Sequence, residues 1–315
     1  MPLQKIDLGD IKERRIQSTL LKYALCQLKL RPPYKNQFIQ PHYEGDFMAM
    51  QKVNDIEIYY EIHGQGDPLV LIMGLRRNIE WWYLQIPTLS KHFKVVAFDN
   101  RGAGRSDKPK VDYSIPLFAD DTAGLIESLG MKKAHILGLS MGGYIAQELA
   151  INYPHIVKSL ILACTGPGGE RAVLISPERL KKFTANEGLS PEQILEKDMD
   201  IYFSDKFITE HPEKITEFIE ISLRYYQPAD AFMRQFAACL KHDTVKRLQR
   251  ITVPTLIMSG DDDLLVPPEN SRILKELIPN AELILFPGKR HCFFIEESEQ
   301  FNRKVISFLK SIQNE

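Results

Sequence analysis

Apolar positions along the chain gather into short runs, separated by stretches with helical spacing. The segment Glu57-Ile58-Tyr59-Tyr60-Glu61-Ile62 alternates as an early, half-buried antiparallel strand does. Continuous apolar runs follow at 69–73, 95–98, 136–139, 160–164, 255–258 and 283–286. Such runs read as strands buried on both faces, so a mostly parallel sheet with helices on either side is expected. Catalytic groups in that architecture gather at the carboxyl ends of the strands.

The rhythm breaks between Gly166-Pro167-Gly168-Gly169 and Val253-Pro254. Ile215, Phe218, Ile219 and Leu223 share one helical face, and Phe232, Phe236 and Leu240 share another. The organisation predicted is a core built from 48–165 and 246–315, with residues 166–245 inserted as a helical cap over the strand ends. Residues 1–47 form an N-terminal extension. Within it Ile11, Ile16, Leu20, Leu21, Ala24, Leu25 and Leu28 can share a face, with Lys12, Arg15, Lys22 and Lys29 largely elsewhere. Pro32-Pro33 ends any such helix. Residues 11–29 therefore admit three readings: a helix packed on the body, contact with a membrane surface, or an extension without fixed structure. Lysines interrupt the apolar stretch, which does not fit a secretory signal.

Composition narrows the function classes. At 315 residues with a net charge of −1, the chain can bury one large core but carries no basic field for nucleic acid. The longest apolar stretches are strand-sized, so no transmembrane segment is expected. The four cysteines, Cys26, Cys164, Cys239 and Cys292, are scattered without disulfide or zinc spacing, which suits a reducing cytoplasm.

The chemistry centres on Gly138-Leu139-Ser140-Met141-Gly142, a G-x-S-x-G pentapeptide between the apolar run at 136–139 and a helical pattern from Gly143. A serine on a sharp strand-to-helix turn pushes its hydroxyl above the sheet. It still needs a base and a group to orient that base. His291 follows the last apolar run, and Asp261-Asp262-Asp263 follows the preceding one, so both project from strand ends on the serine's side. The order Ser, Asp, His suits an α/β hydrolase. Adjacent carboxylates also raise a cation site, but no EF-hand loop and no histidine at ligand spacing accompanies them, and neither metal nor cofactor is expected.

Met73-Gly74-Leu75, the stretch from Asp99 to Ser106, the elbow with Gly143, and the Asp263 and His291 segments together resemble the α/β-hydrolase fold family. The likeness spans roughly residues 50–315 and points to its esterases, lactonases and C–C hydrolases. It implies Ser140 as nucleophile, His291 as base and Asp263, in a G-x-x-D-x-x-V-P segment, as the acid. It further implies an oxyanion hole formed by the backbone N–H groups of Leu75 and Met141. The sequence departs from the family where Met73 replaces a frequent histidine, Arg76-Arg77 replaces a glycine-rich continuation, and Arg290 precedes the base. These arginines either point to solvent or face the cleft and favour a substrate carboxylate.

Trp81 and Trp82 follow the oxyanion loop; one belongs in the core and one at the pocket, with Trp82 and Phe232 taken as substrate-binding candidates. Most cap aromatics (Phe203, Phe207, Phe218, Tyr225, Tyr226, Phe232, Phe236) should form cap core, and their excess suits a small-molecule substrate with an apolar portion. Asp99-Asn100-Arg101-Gly102 lacks a phosphate-loop signature and reads as a turn held by an Asp/Arg network. The expected activity is hydrolysis of a carboxylic ester, thioester or lactone through an acyl-enzyme. The alternatives are C–C hydrolysis of a β-diketone-type acid, or a receptor or scaffold with negligible turnover. A homo-oligomer is left open.

Overall fold

A computed structural model describes residues 47–313. The three readings of residues 11–29, with the rest of 1–46, fall outside the described residues.

The strands β1 (Phe47–Val53), β2 (Ile56–His63), β3 (Pro68–Ile72), β4 (Lys94–Phe98), β5 (Ala134–Leu139), β6 (Val157–Ala163), β7 (Thr255–Gly260) and β8 (Ala281–Phe286) form one sheet. Its order is β1-β2-β4-β3-β5-β6-β7-β8. The β1–β2 and β2–β4 pairings are antiparallel and the remaining pairings are parallel. Each apolar run of the sequence supplies one of β3 to β8. β1 has no such run. It is an edge strand in which Phe47, Met48 and Met50 are exposed, so its pattern carries no burial signal.

Side-chain alternation along the central strands divides the interior into two layers. Val70, Ile72, Val96 and Phe98 enter one, against helices α1 (Ile115–Ser128) and α2 (Met141–Asn152). Leu69, Leu71, Val95 and Ala97 enter the other, which continues into aromatic residues of the 166–245 segment. That segment holds α3 (Pro177–Thr184), α4 (Pro191–Lys197), α5 (Met199–Tyr202), α6 (Asp205–Glu210), α7 (Pro212–Leu223) and α8 (Ala229–Leu240). The core then resumes with β7, α9 (Glu269–Leu277) and β8, and closes with α10 (Ser298–Gln313). Among the described residues no helix is long and apolar enough to cross a membrane.

The segment leaves and re-enters the core through a pinned neck. Gly169 N–H donates to His242 O at 2.9 Å and Thr244 N–H to Pro167 O at 3.0 Å. Gln147 bridges the neck to the elbow helix: its Nε2 donates to Gly143 O and Gly166 O, and its Oε1 accepts from Thr244 Oγ1 at 2.7 Å.

The turn after β4 is the Asp/Arg network its sequence implies. Arg101 is fully buried, with Nε 2.7 Å from Asp121 Oδ2 and Nη2 2.6 Å from the exposed Asp55. Removing the guanidinium strands a buried carboxylate, which costs about 3–5 kcal/mol, whereas a surface partner contributes at most about 1 kcal/mol. Urea unfolding should therefore show a large loss for Arg101→Met and a small one for Asp55→Asn; equal losses would contradict this account.

Candidate active site

The strand-to-helix turn after β5 is set by steric contact. A Cβ on Gly138 would lie 2.2 Å from Gly142 O, and one on Gly142 would lie 2.1 Å from Ile72 O. Both contacts are with backbone, so only glycine allows β5, β3 and α2 to approach this closely. Ser140 between them takes φ 57° and ψ −118°. That conformation costs a non-glycine residue about 1–3 kcal/mol. The surroundings hold it: Ser140 N–H donates to Ala163 O at 2.9 Å, and Thr165 Oγ1 donates to Ser140 O at 2.8 Å.

The acidic triplet after β7 is divided by its partners. Asp261 accepts from Gly288 N–H, and Asp262 pairs with Arg290 Nε at 3.1 Å. Asp263 alone turns inward and is 2 % exposed. Its Oδ1 accepts from the N–H groups of Leu265 and Val266 at 2.9 Å, and its Oδ2 lies 2.8 Å from His291 Nδ1. With Nδ1–H directed at a carboxylate, Nε2 is left as the basic nitrogen. His291 and Ser140 line the same cavity of about 440 Å³. Among the described residues no hydrogen bond joins them, a contact that often closes only when substrate binds.

Leu75 and Met141 also line this cavity. Among the described residues no backbone acceptor engages either N–H. The Leu75 loop is held from below and above: Asn100 Nδ2 donates to Met73 O at 2.8 Å, and Gln235 Oε1 accepts from Arg76 N–H at 3.1 Å. Arg76 itself has φ 71°, a second strained position beside the site. Neither Asn100 nor Gln235 stood out in the sequence, because each acts through a backbone group far away along the chain.

The flanking arginines separate into two kinds. Arg76 and Arg77 do not point to solvent; both are buried in the cavity wall, Arg76 over the ring of Phe232 and Arg77 over that of Trp81, each at 4.1 Å. Phe232 lines the cavity. Arg290 does not line it. Its Nη1 donates to Asp200 O, Phe203 O and Asp205, and its Nε to Asp262, so it fastens α5 and α6 to the core. Trp82, the candidate from the sequence, does not line the cavity either. Trp82 is fully buried, packed against Phe294, while Trp81 faces the cavity. The two occupy one 3₁₀ turn, Ile79–Trp82, where neighbours point in different directions.

Cys164, at the end of β6, lies with Asp263 and His291 inside 4.8 Å, a spacing that could hold a metal ion. Burial, then the nearby Asp263, push its thiol well above the usual range. Asp263 has already committed both oxygens, Oδ1 to the Leu265 and Val266 N–H groups and Oδ2 to His291.

His242, also in the cavity wall, stacks on Tyr144 with ring centroids 4.3 Å apart. Its Nδ1 lies 4.0 Å from Glu148, and among the described residues neither ring nitrogen has a hydrogen-bond partner. Burial, with Arg247 adding, lowers its pKa from 6.5 to about 3. The folded protein keeps this ring neutral while the unfolded chain takes up a proton below about 6.5. Its contribution to stability is thus full above that value, declines as pH falls towards 3, and is constant below. Urea midpoints measured from pH 7 to 4 should show wild type losing ground to His242→Gln as pH falls; parallel profiles would refute this.

A family model for the alpha/beta hydrolase fold matches residues 67–203 and 217–298. The "Putative carbamate hydrolase RutD" of Agrobacterium fabrum (strain C58) is 28% identical over 261 residues, covering 80% of this chain and 98% of that protein. The enol-lactonase from Burkholderia xenovorans LB400 superposes with TM-score 0.73 at 25% identity, covering 83% of this chain and 100% of that one. The meta-cleavage product hydrolase from Pseudomonas fluorescens IP01 gives TM-score 0.72 at 28% identity, covering 84% and 97%.

Proposed function

The chain belongs to the alpha/beta hydrolase fold family, and on that premise we propose that it is a serine hydrolase of carboxylic esters, thioesters or lactones. The observation that carries this reading is the buried contact of 2.8 Å between Asp263 and His291, in a cavity shared with the strained Ser140. Hydrolase names among its relatives agree with it.

In this reading Ser140 Oγ attacks the substrate carbonyl carbon while its proton passes to His291 Nε2. Asp263 fixes the imidazole tautomer and offsets the charge that forms on it. The N–H groups of Leu75 and Met141, with the N-terminus of α2, stabilise the tetrahedral oxyanion. Collapse expels the alkoxide or thiolate, which takes the proton from His291. A water then gives its proton to His291 and attacks the acyl-serine; the acid leaves and Ser140 recovers its proton. Residues 166–245 act as a cap, whose Phe183, Tyr202 and Phe232 enclose an apolar portion of the substrate. A second reading, C–C hydrolysis of a β-diketone-type acid, uses the same groups and has support in the likeness to the meta-cleavage product hydrolase.

Wild type should label with a fluorophosphonate and give a burst with a p-nitrophenyl ester, and Ser140→Ala should do neither. Asp263→Asn should lower kcat on the order of 10⁴-fold, with Asp262→Asn close to wild type. Labelling that survives in Ser140→Ala would remove Ser140 from its role. Absence of both burst and turnover in folded wild type would favour a receptor.

A further inference from the structure

We propose that Arg77 is the receptor for a carboxylate carried by the substrate, so that this protein acts on acidic esters or lactones in preference to neutral ones. The proposal rests on the hydrolase reading above and adds the substrate class.

Arg77 is 6 % exposed and shares the cavity wall with Ser140 and His291. A guanidinium has five N–H donors, and among the described residues this one donates only from Nη2, to Tyr202 Oη at 3.0 Å. Among the described residues no carboxylate comes within ion-pair distance of it. Two other arginines of the interior, Arg101 and the half-buried Arg105, are matched by carboxylates. Arg101 meets Asp121 and Asp55, and Arg105 meets Asp99, Glu80 and Glu61. Asp198, the buried acid whose charge Arg77 feels, already has Lys197 Nζ at 2.8 Å. Glu170, an acid of the cavity wall, is solvent-exposed.

In place of a counter-ion Arg77 has aromatic faces, Trp81 at 4.1 Å and Tyr202 at 5.4 Å. Faces support a cation weakly compared with a carboxylate, but they fix the plane of the guanidinium. A buried cation without its anion is costly. A substrate carboxylate would supply that anion, and the fork and the carboxylate are complementary for paired N–H···O bonds. The apolar lining disfavours water as the substitute and leaves room for the rest of the substrate.

The test compares mono-p-nitrophenyl adipate with p-nitrophenyl hexanoate, which differ by a carboxylate in place of a methyl group, alongside calorimetry with adipate. Wild type should have the higher kcat/KM on the adipate ester. The ratio of the two should fall about 10- to 100-fold in Arg77→Met and recover in part in Arg77→Lys, which keeps charge without the fork. Adipate should bind wild type and Ser140→Ala, and should not bind Arg77→Met. Wild type turning over both esters equally, with no adipate binding, would overturn the proposal and leave the hydrolase reading intact. Binding of adipate through Arg77 without turnover of any ester would do the reverse. Losses of equal size on both esters in Arg77→Met would mark Arg77 as structural only.

Discussion

The close crossing of β5 over α2, with β3 beside them, is the constraint on which the rest of the site depends. Two backbone carbonyls, Gly142 O and Ile72 O, occupy the space that side chains at 138 and 142 would need. The chain reverses within one residue, and Ser140 is forced into the left-handed region as a result. The same crossing fixes the start of α2, so Met141, the first residue of that helix, lies at the cavity beside Ser140. Serine and helix start are therefore one geometric consequence. Strain at Ser140 persists because Ala163 O and Thr165 bind its peptide groups from the neighbouring strand end.

Parallel pairing carries this outward. Strands that run the same way present their carboxyl ends along one edge, so the loops after β7 and β8 deliver Asp263 and His291 to the edge that holds Ser140. The rigidity of the carboxylate comes from its own loop, through the Leu265 and Val266 N–H groups. Nothing in that arrangement requires side chains elsewhere to be of a given kind, which leaves the cavity walls free to vary.

That division explains what could be read from the chain. Backbone-determined features have local sequence marks: apolar runs for strands, glycines where no Cβ fits, an Asp and a His after consecutive strands. Wall residues do not. Tyr202 belongs to a four-residue helix without a periodic pattern, yet it holds Arg77. Trp81 and Trp82 are chemically identical neighbours, and only the rotation of a 3₁₀ turn decides which one meets the cavity. Arg76, Arg77 and Arg290 likewise share one chemistry and part company through contacts that lie far along the sequence. The edge strand β1 escaped notice because one face of it stays wet.

The pinned neck gives the inserted helices a status of their own. Residues 167–169 and 242–244 are clasped to each other, so everything between them begins and ends at one point on the core. An interchangeable module needs that property: a segment of different length or shape can be grafted at this point without shifting β6 against β7. The elbow side of the clasp, through Gln147, stays with the core. Evolution or an engineer can therefore exchange much of the cavity wall by replacing one continuous stretch of gene, with Ser140, Asp263 and His291 encoded on either side of it, provided that the new segment restores the contact Gln235 makes with the Arg76 N–H.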